Sequence, residues 1–283
     1  MQNWNRADAD VALMIALHAR RSAPSIAAWA AQHPGRPLIL VLTGTDLYRD
    51  IQSDSDAIAS LKSATHLVVL QDAGLAVLPA NLQGKTRVIY QSAPRLKPAL
   101  KSTKNFRALM VGHLRDEKDP LTFIKAASLC SAKNIRFTQI GDGLDAQLAV
   151  AAGQAAADFA NYHWLGGLPR AETRQRIKQA HLLVNCSWME GGAHVILEAV
   201  QSGTPVLASR ISGNIGMLGT GYAGYFDAGD AAGLVALVER CAAEPTFLAH
   251  LQTQCSQRAN LFEPAVEKRL VLNLVSSVLK RPL

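Results

Sequence analysis

The stretch with the most chemistry in it runs Trp188-Met-Glu190-Gly191-Gly192-Ala193-His194-Val195-Ile-Leu-Glu198-Ala199, shortly before Ser202-Gly-Thr-Pro205. An apolar run at 181–187 leads into it as a strand, and the glycine pair then opens an apolar helix. The first amides of a helix have no intrahelical acceptor, and the helix dipole favours negative charge beside them, so this turn is a candidate anion site. A glutamate stands at each end of the segment, and each carboxylate can accept hydrogen bonds from sugar hydroxyls. Eight helical residues rise ~12 Å, which suits the span from a sugar ring to the ribose of a sugar nucleotide. The implied ligand is a hexose joined through a diphosphate to a nucleoside. The same residues also suit an ordinary βαβ unit with two incidental glutamates, so the choice depends on what positions them.

Short apolar runs alternate with helical patterns along almost the whole chain. Strands are expected at 11–17, 37–42, 67–70 and 87–91, then at 106–112, 135–140, 162–165, 182–186, 205–208 and 224–226. Helices of ordinary length separate them, which predicts parallel sheets covered on both faces. Residues 92–105 break this rhythm with two prolines, four basic residues and no periodicity, and read as a linker. The expected organisation is a Rossmann-like domain over 1–103 that takes in the start of that linker, a second over 104–262, and a C-terminal helix at 263–283 packing back toward the first. Ligands of open α/β sheets bind at the strand C-termini, so facing strand ends would form a cleft. The second series is complete. The first offers four strands, none followed by a glycine-rich loop opening a helix, so an upstream βαβ segment of roughly 30 residues is expected to be missing.

Composition narrows the partners. The formal net charge is +7, yet no basic stripe interleaved with aromatics and no nucleic-acid motif occurs, which favours small anionic ligands over nucleic acid. The four cysteines show no metal spacing and read as buried thiols of a reducing compartment. The polar opening Met-Gln-Asn-Trp-Asn-Arg has no secretory layout, and no apolar run reaches membrane-spanning length. A cytoplasmic protein without stable membrane association is expected.

Two strand ends in the first series carry polar clusters. Thr43-Gly44-Thr45-Asp46 ends one, where Thr45 suits an oxyanion and Asp46 either holds a hydroxyl or caps the next turn. His18, Arg20 and Arg21 end another. Two arginines beside a histidine suit a phosphate-like acceptor through charge-assisted hydrogen bonds, or stand as solvated cations at a helix start.

The motifs Val111-Gly-His-Leu-Arg-Asp-Glu-Lys118, Ile140-Gly-Asp-Gly143, Trp164-Leu-Gly166, Glu190-Gly-Gly with Glu198, and Gly203-Thr-Pro-Val together resemble the donor half of GT-B glycosyltransferases of the retaining family 4 type. A narrower set also stands out. His18-Ala-Arg20-Arg21-Ser22, Leu42-Thr-Gly-Thr-Asp-Leu-Tyr-Arg49, Val88-Ile-Tyr-Gln-Ser-Ala93, Glu190-Gly-Gly-Ala-His and Ala208-Ser-Arg-Ile-Ser-Gly-Asn-Ile-Gly-Met-Leu-Gly219 are similar to selenosugar synthases of selenoneine biosynthesis. That resemblance implies a GT-B fold with an incomplete N-terminal domain. It also implies transfer from a UDP-sugar, UDP-N-acetylglucosamine in the first instance, to selenophosphate, with no cofactor and no metal.

The resemblance assigns roles residue by residue. Lys118 aligns with the family's diphosphate-binding lysine. The usual arginine position holds His113, and Arg115 is expected to replace that guanidinium, because fixed cations stabilise the charge that grows on departing UDP. Arg115, Lys118 and Glu190 are thus the expected catalytic set, with Glu190 on the sugar hydroxyls and Glu198 on the ribose diol. Gly191, Gly192, Ala193, His194 and Val195 would meet the phosphates through the backbone. Gly112, His113, Gly141, Gly143 and Leu168 complete the donor site, although Gly141 and Gly143 equally suit a tight turn. His18, Arg20, Arg21, Thr43, Gly44, Thr45 and Asp46 would hold the acceptor. Two alternatives stay open: a retaining glycosyltransferase using an alcohol or lipid acceptor, and a nucleotide-sugar-binding relic without turnover.

Overall fold

A computed structural model describes residues 11–279. It contains two compact units. The first takes in the described residues up to Gln91, the tripeptide Glu190–Gly192 and the described residues from Pro264 onward; the second comprises Ser92–Met189 and Ala193–Glu263.

The first unit holds a four-stranded parallel sheet in the order β1 (Met14–Leu17), β2 (Leu38–Leu42), β3 (His66–Val69), β4 (Thr86–Val88). The central strands β2 and β3 are apolar almost throughout, as a sheet covered on both faces requires. One face buries Leu40, Leu42, Leu67 and Val69 beneath Trp29, Ile26 and Leu61. The other buries Ile39, Val68 and Ile89 against Leu274 and Val278 of the helix Pro264–Leu279. Among the described residues β1 forms one edge of the sheet and β4 the other, and β1 leaves Ile15 and Leu17 about half exposed.

The second unit holds a six-stranded parallel sheet in the order β10-β9-β8-β5-β6-β7. The strands are β5 (Phe106–Val111), β6 (Ile135–Ile140), β7 (Tyr162–Trp164), β8 (Leu182–Asn185), β9 (Val206–Ser209) and β10 (Tyr225–Phe226). The chain winds outward from β5 to β7, then crosses back to β8 on the other side of β5. The β5–β8 boundary is therefore a topological switch point, where ligands of doubly wound sheets bind.

Two segments without a regular apolar pattern are held by hydrogen bonds to other parts of the chain. Residues 92–105 are irregular but tied down: Lys101 Nζ donates to Lys178 O, Ala180 O and Thr204 Oγ1 at 2.8, 2.5 and 3.2 Å. Leu96 N–H donates to Gln201 O, and Arg95 pairs with Glu263 at 2.7 Å. The glycine-bearing stretch 212–218 is the helix Ser212–Leu218. Its propensity is poor, and hydrogen bonds to its surroundings hold it: its own Asn214 Nδ2 donates to Asn185 Oδ1 and Ser209 O, and Arg258 donates to Gly216 O and Met217 O.

Candidate functional site

In the second unit, the C-terminal ends of β5 and β6 open into a 440 Å³ cavity lined by Val111, Gly112, His113, Ile140, Gly141, Asp142, Gly167, Leu168 and Thr173. Four of the predicted donor residues, Gly112, His113, Gly141 and Leu168, share this wall. Gly141 has φ +152°, and a Cβ there would lie 2.0 Å from Gly112 O, so the two strand ends meet backbone to backbone. Gly143 lies one turn on, where a Cβ would crowd Ala149 at 2.6 Å. That makes it a packing position at a helix entry. Trp164, half-buried, donates its indole N–H to Gly141 O at 2.9 Å and so fixes the same corner.

His113 is half exposed at the rim. Asp142 N–H donates to its Nδ1 at 3.1 Å. With Nδ1 used as an acceptor, the ring presents Nε2–H outward as a donor. Past His113 the chain makes the short turn Asp116–Lys118, and Asp119, at φ +47°, caps the following helix by accepting from Thr122 N and Oγ1. The turn brings the aliphatic stem of Lys118 over Gly112, within 3.5 Å of where a Cβ would stand. Arg115 lies near the same turn, with Nε 4.0 Å from Glu117 Oε2.

Ala193 caps the helix His194–Val200, so His194 and Val195 open its first turn. Glu198 is buried, and one of its oxygens, Oε1, meets three basic side chains: Arg170 Nε at 3.4 Å, His194 Nδ1 at 3.5 Å and Arg174 Nε at 3.9 Å. Burial alone would push this carboxyl up. The hydrogen bond and charge of His194, with Arg170 and Arg174, more than offset it and hold the group below its ordinary value. The two arginines escaped the sequence reading. Their signal was a polar helix start, Arg170-Ala-Glu-Thr-Arg174, with cations at i and i+4 on one face.

The tripeptide Glu190–Gly192 packs with the first unit. A Cβ on Gly191 would lie 2.2 Å from Thr43 O, one on Gly44 2.9 Å from Gly191 N, and one on Gly192 2.6 Å from Leu70 Cβ. Two peptides thus touch where only glycine fits, which joins the predicted Thr43–Gly44 to the predicted Gly191–Gly192. Glu190 itself is buried.

The acceptor candidates gather at the ends of β1 and β2. Asp46 is fully buried; its carboxylate accepts from Ala19 N, Thr43 N and Gly44 N at 2.9, 2.8 and 2.9 Å, and from Thr43 Oγ1. It is the keystone of the turn, with its lone pairs used inside the protein. His18 is buried and also turned inward, its Nε2 3.0 Å from Thr45 Oγ1. Burial depresses its pKa, Arg21 and Arg20 in the same sense, while Asp46 and Asp50 pull the other way. Arg20 is exposed and lies 3.3 Å from the buried Asp50. Asp50 is a residue the sequence reading passed over. Arg21 points to solvent.

Two parallel α/β units, one with a glycine-walled cavity at the C-terminal ends of its strands, define the GT-B architecture. Residues 93–261 match the family described as "Glycosyl transferases group 1", and the chain belongs to that family. Solved structures agree on the fold. HepE from Anabaena, in complex with UDP and glucose, superposes with a TM-score of 0.78 at 19% identity over 94% of this chain and 78% of that one. Sucrose-phosphate synthase from Thermosynechococcus elongatus gives 0.78 at 18% identity over 96% and 75%. No helix among the described residues is long and apolar enough to cross a membrane.

Proposed function

We propose that the protein transfers a sugar from a UDP-sugar, with UDP-N-acetylglucosamine the first candidate, to selenophosphate. The observation that carries the donor half is the 440 Å³ cavity where Gly112, His113, Gly141 and Leu168 converge at the C-terminal ends of β5 and β6. Family membership supports the reaction class, and UDP with glucose in the HepE structure supports the donor class. Selenophosphate rests on the narrower motif resemblance and on the cationic strand end around Arg20 and Arg21.

In this reading the nucleotide lies in the cavity, with Glu198 accepting from the ribose diol. The His113 Nε2–H, Arg115 and Lys118 stand beside the diphosphate. As the anomeric C–O bond breaks, the electron pair leaves with UDP, and these cations and donors offset the charge that develops. The selenium lone pair of selenophosphate forms the new C–Se bond. Selenophosphate is already anionic, so attack needs no general base.

The test incubates the protein with UDP-N-acetylglucosamine and selenophosphate and follows UDP release and a selenium-bearing sugar by mass spectrometry. UDP release with an alcohol acceptor alone would move the reading to an ordinary glycosyltransferase. UDP-sugar binding without turnover of any acceptor would move it to a binding relic.

A further inference from the structure

Two features of the first unit exceed what packing requires. His18 ends β1 with φ +71°, a left-handed conformation uncommon for a residue with a side chain. Strain of this kind collects at ligand sites. Beyond β2, the chain enters a π-helical turn, Asp46–Asp50, a rare form frequent at functional sites.

A directional relay joins the two. Arg21 N–H donates to His18 Nδ1 at 3.3 Å. Nδ1 therefore carries the lone pair, and the neutral ring bears its proton on Nε2. Nε2–H points to Thr45 Oγ1 at 3.0 Å, while Asp50 Oδ2 is 3.9 Å away. The Thr45 oxygen is thereby an acceptor, and its own proton remains to be given away. No described residue accepts it. The neighbouring Thr43 hydroxyl is different, because its proton goes to Asp46. Thr45 is part-exposed, and the charged groups around the relay are Arg20, Arg21, Asp46 and Asp50.

We infer that Thr45 is the specificity-determining group of the first unit: its hydroxyl, aimed by His18, donates a hydrogen bond to an oxyanion of the ligand bound there. This deepens the proposed function, since it rests on reading the first unit as the acceptor side. His18 is a positioning residue, and its strained backbone places the imidazole behind the hydroxyl. The relay selects ligands that carry an acceptor oxygen and discriminates against those offering only donors.

The test titrates inorganic phosphate into the full-length protein by calorimetry. Thr45→Val should weaken phosphate binding about tenfold or more, the usual worth of a hydrogen bond to a charged group, whereas Thr45→Ser should stay within about twofold of wild type. His18→Gly suits the positive φ but deletes a buried ring, so melting should fall while UDP binding by the second unit persists, and phosphate should weaken as in Thr45→Val. The double variant His18→Gly/Thr45→Val should bind no more weakly than Thr45→Val alone, because His18 acts through Thr45. His18→Asn, which tolerates this backbone and keeps a donor, should restore part of the loss. UDP titrated separately reports that the second unit is intact. Equal phosphate binding by wild type and Thr45→Val, no phosphate binding by wild type, or losses that multiply in the double variant would overturn the inference. Phosphate discrimination without any transfer to selenophosphate would overturn the proposed function and leave this inference standing. Transfer with no discrimination would do the reverse.

Discussion

Gly141→Ala is the sharpest single test of how the cavity at the ends of β5 and β6 is built. The added methyl would stand 2.0 Å from Gly112 O, 2.4 Å from Gly112 C and 2.8 Å from His113 N. All three are backbone atoms, two from the residue after β5 and one from His113, so no rotamer change relieves the clash. The backbone at φ +152° adds strain of about 1–3 kcal/mol for any residue other than glycine. Overpacking adds about 1–3 kcal/mol again. A combined loss of about 2–6 kcal/mol corresponds to a melting decrease of roughly 5–20 °C for a unit of this size. Relief requires β5 and β6 to part at their ends, which moves the cavity wall. UDP affinity should therefore fall at least tenfold in any fraction that stays folded.

Gly153→Ala supplies the opposite sign in the same unit. Gly153 lies inside the helix Ala146–Asp158, and a Cβ there meets nothing within 4 Å. Alanine is favoured over glycine in a helix by about 0.5–1 kcal/mol, so this variant should melt slightly higher and bind UDP as wild type does. The measurements are differential scanning calorimetry and UDP titration on both variants. Wild-type melting together with wild-type UDP affinity in Gly141→Ala would falsify the claim that the two strand ends are in backbone contact.

Three further outcomes are expected. Glu198 titrates below its ordinary value of 4.5 in the folded protein; its stabilisation is complete above the unfolded pKa and is lost as pH falls through the folded one. The stability gap between wild type and Glu198→Gln in urea denaturation should thus be flat at neutral pH and shrink below about pH 4.5, and a pH-independent gap would refute the ion cluster. Burial lowers Lys101 to about 8 from 10.5. The unfolded chain then binds more protons between those values, so wild type should gain stability relative to Lys101→Met as pH rises from 8 to 10.5. A gain for the variant would contradict the burial. Of the four thiols, Cys186, Cys241 and Cys255 are buried, with Cys241 raised to about 12 and Cys255 to about 11, while Cys130 is only partly covered. Ellman's reagent should find at most Cys130 readily in native protein and all four after unfolding; two or more fast native thiols would show a looser core.

The elements were legible because each carries a local signal. The apolar runs of β2, β3 and β8 are too short for helices and are bounded by turn residues, and Asp54, Asp119 and Asp145 cap helices through their own side chains, accepting from Ala57, Thr122 and both Gln147 and Leu148. The wall of the cavity was legible for a related reason: glycine is demanded where strand ends touch, and Gly141 announces that contact by its type. What stayed hidden depends on long-range pairing. Nothing in the residue types of Ser212–Leu218 marks a helix; Asn185 and Arg258, both distant in sequence, and the nearby Ser209 hold it. Nothing in the spacing of Arg170 and Arg174 points to Glu198.

Residue type also conceals direction, and the polar cluster of the first unit shows how. By type, His18, Thr43, Thr45 and Asp46 are four equivalent ligands. By hydrogen bonding they differ. Asp46 accepts from three amides and a hydroxyl, so a ligand hydroxyl would have to displace bonds that hold the turn together. Thr43 gives its proton to Asp46. His18 spends both nitrogens, one on the Arg21 amide and one on Thr45. Only the Thr45 proton is uncommitted, and it is uncommitted because the other three are not. Substituting Asp46 should accordingly collapse the turn, whereas substituting Thr45 should leave it standing. Asp46→Asn keeps shape but replaces one acceptor oxygen with a donor, facing either the amide of Ala19 or those of Thr43 and Gly44. An unsatisfied buried donor costs about 1–3 kcal/mol, so Asp46→Asn should lower the melting temperature while Thr45→Val does not. If Asp46→Asn melted as wild type and Thr45→Val did not, the division of this cluster into scaffold and ligand group would be the wrong way round.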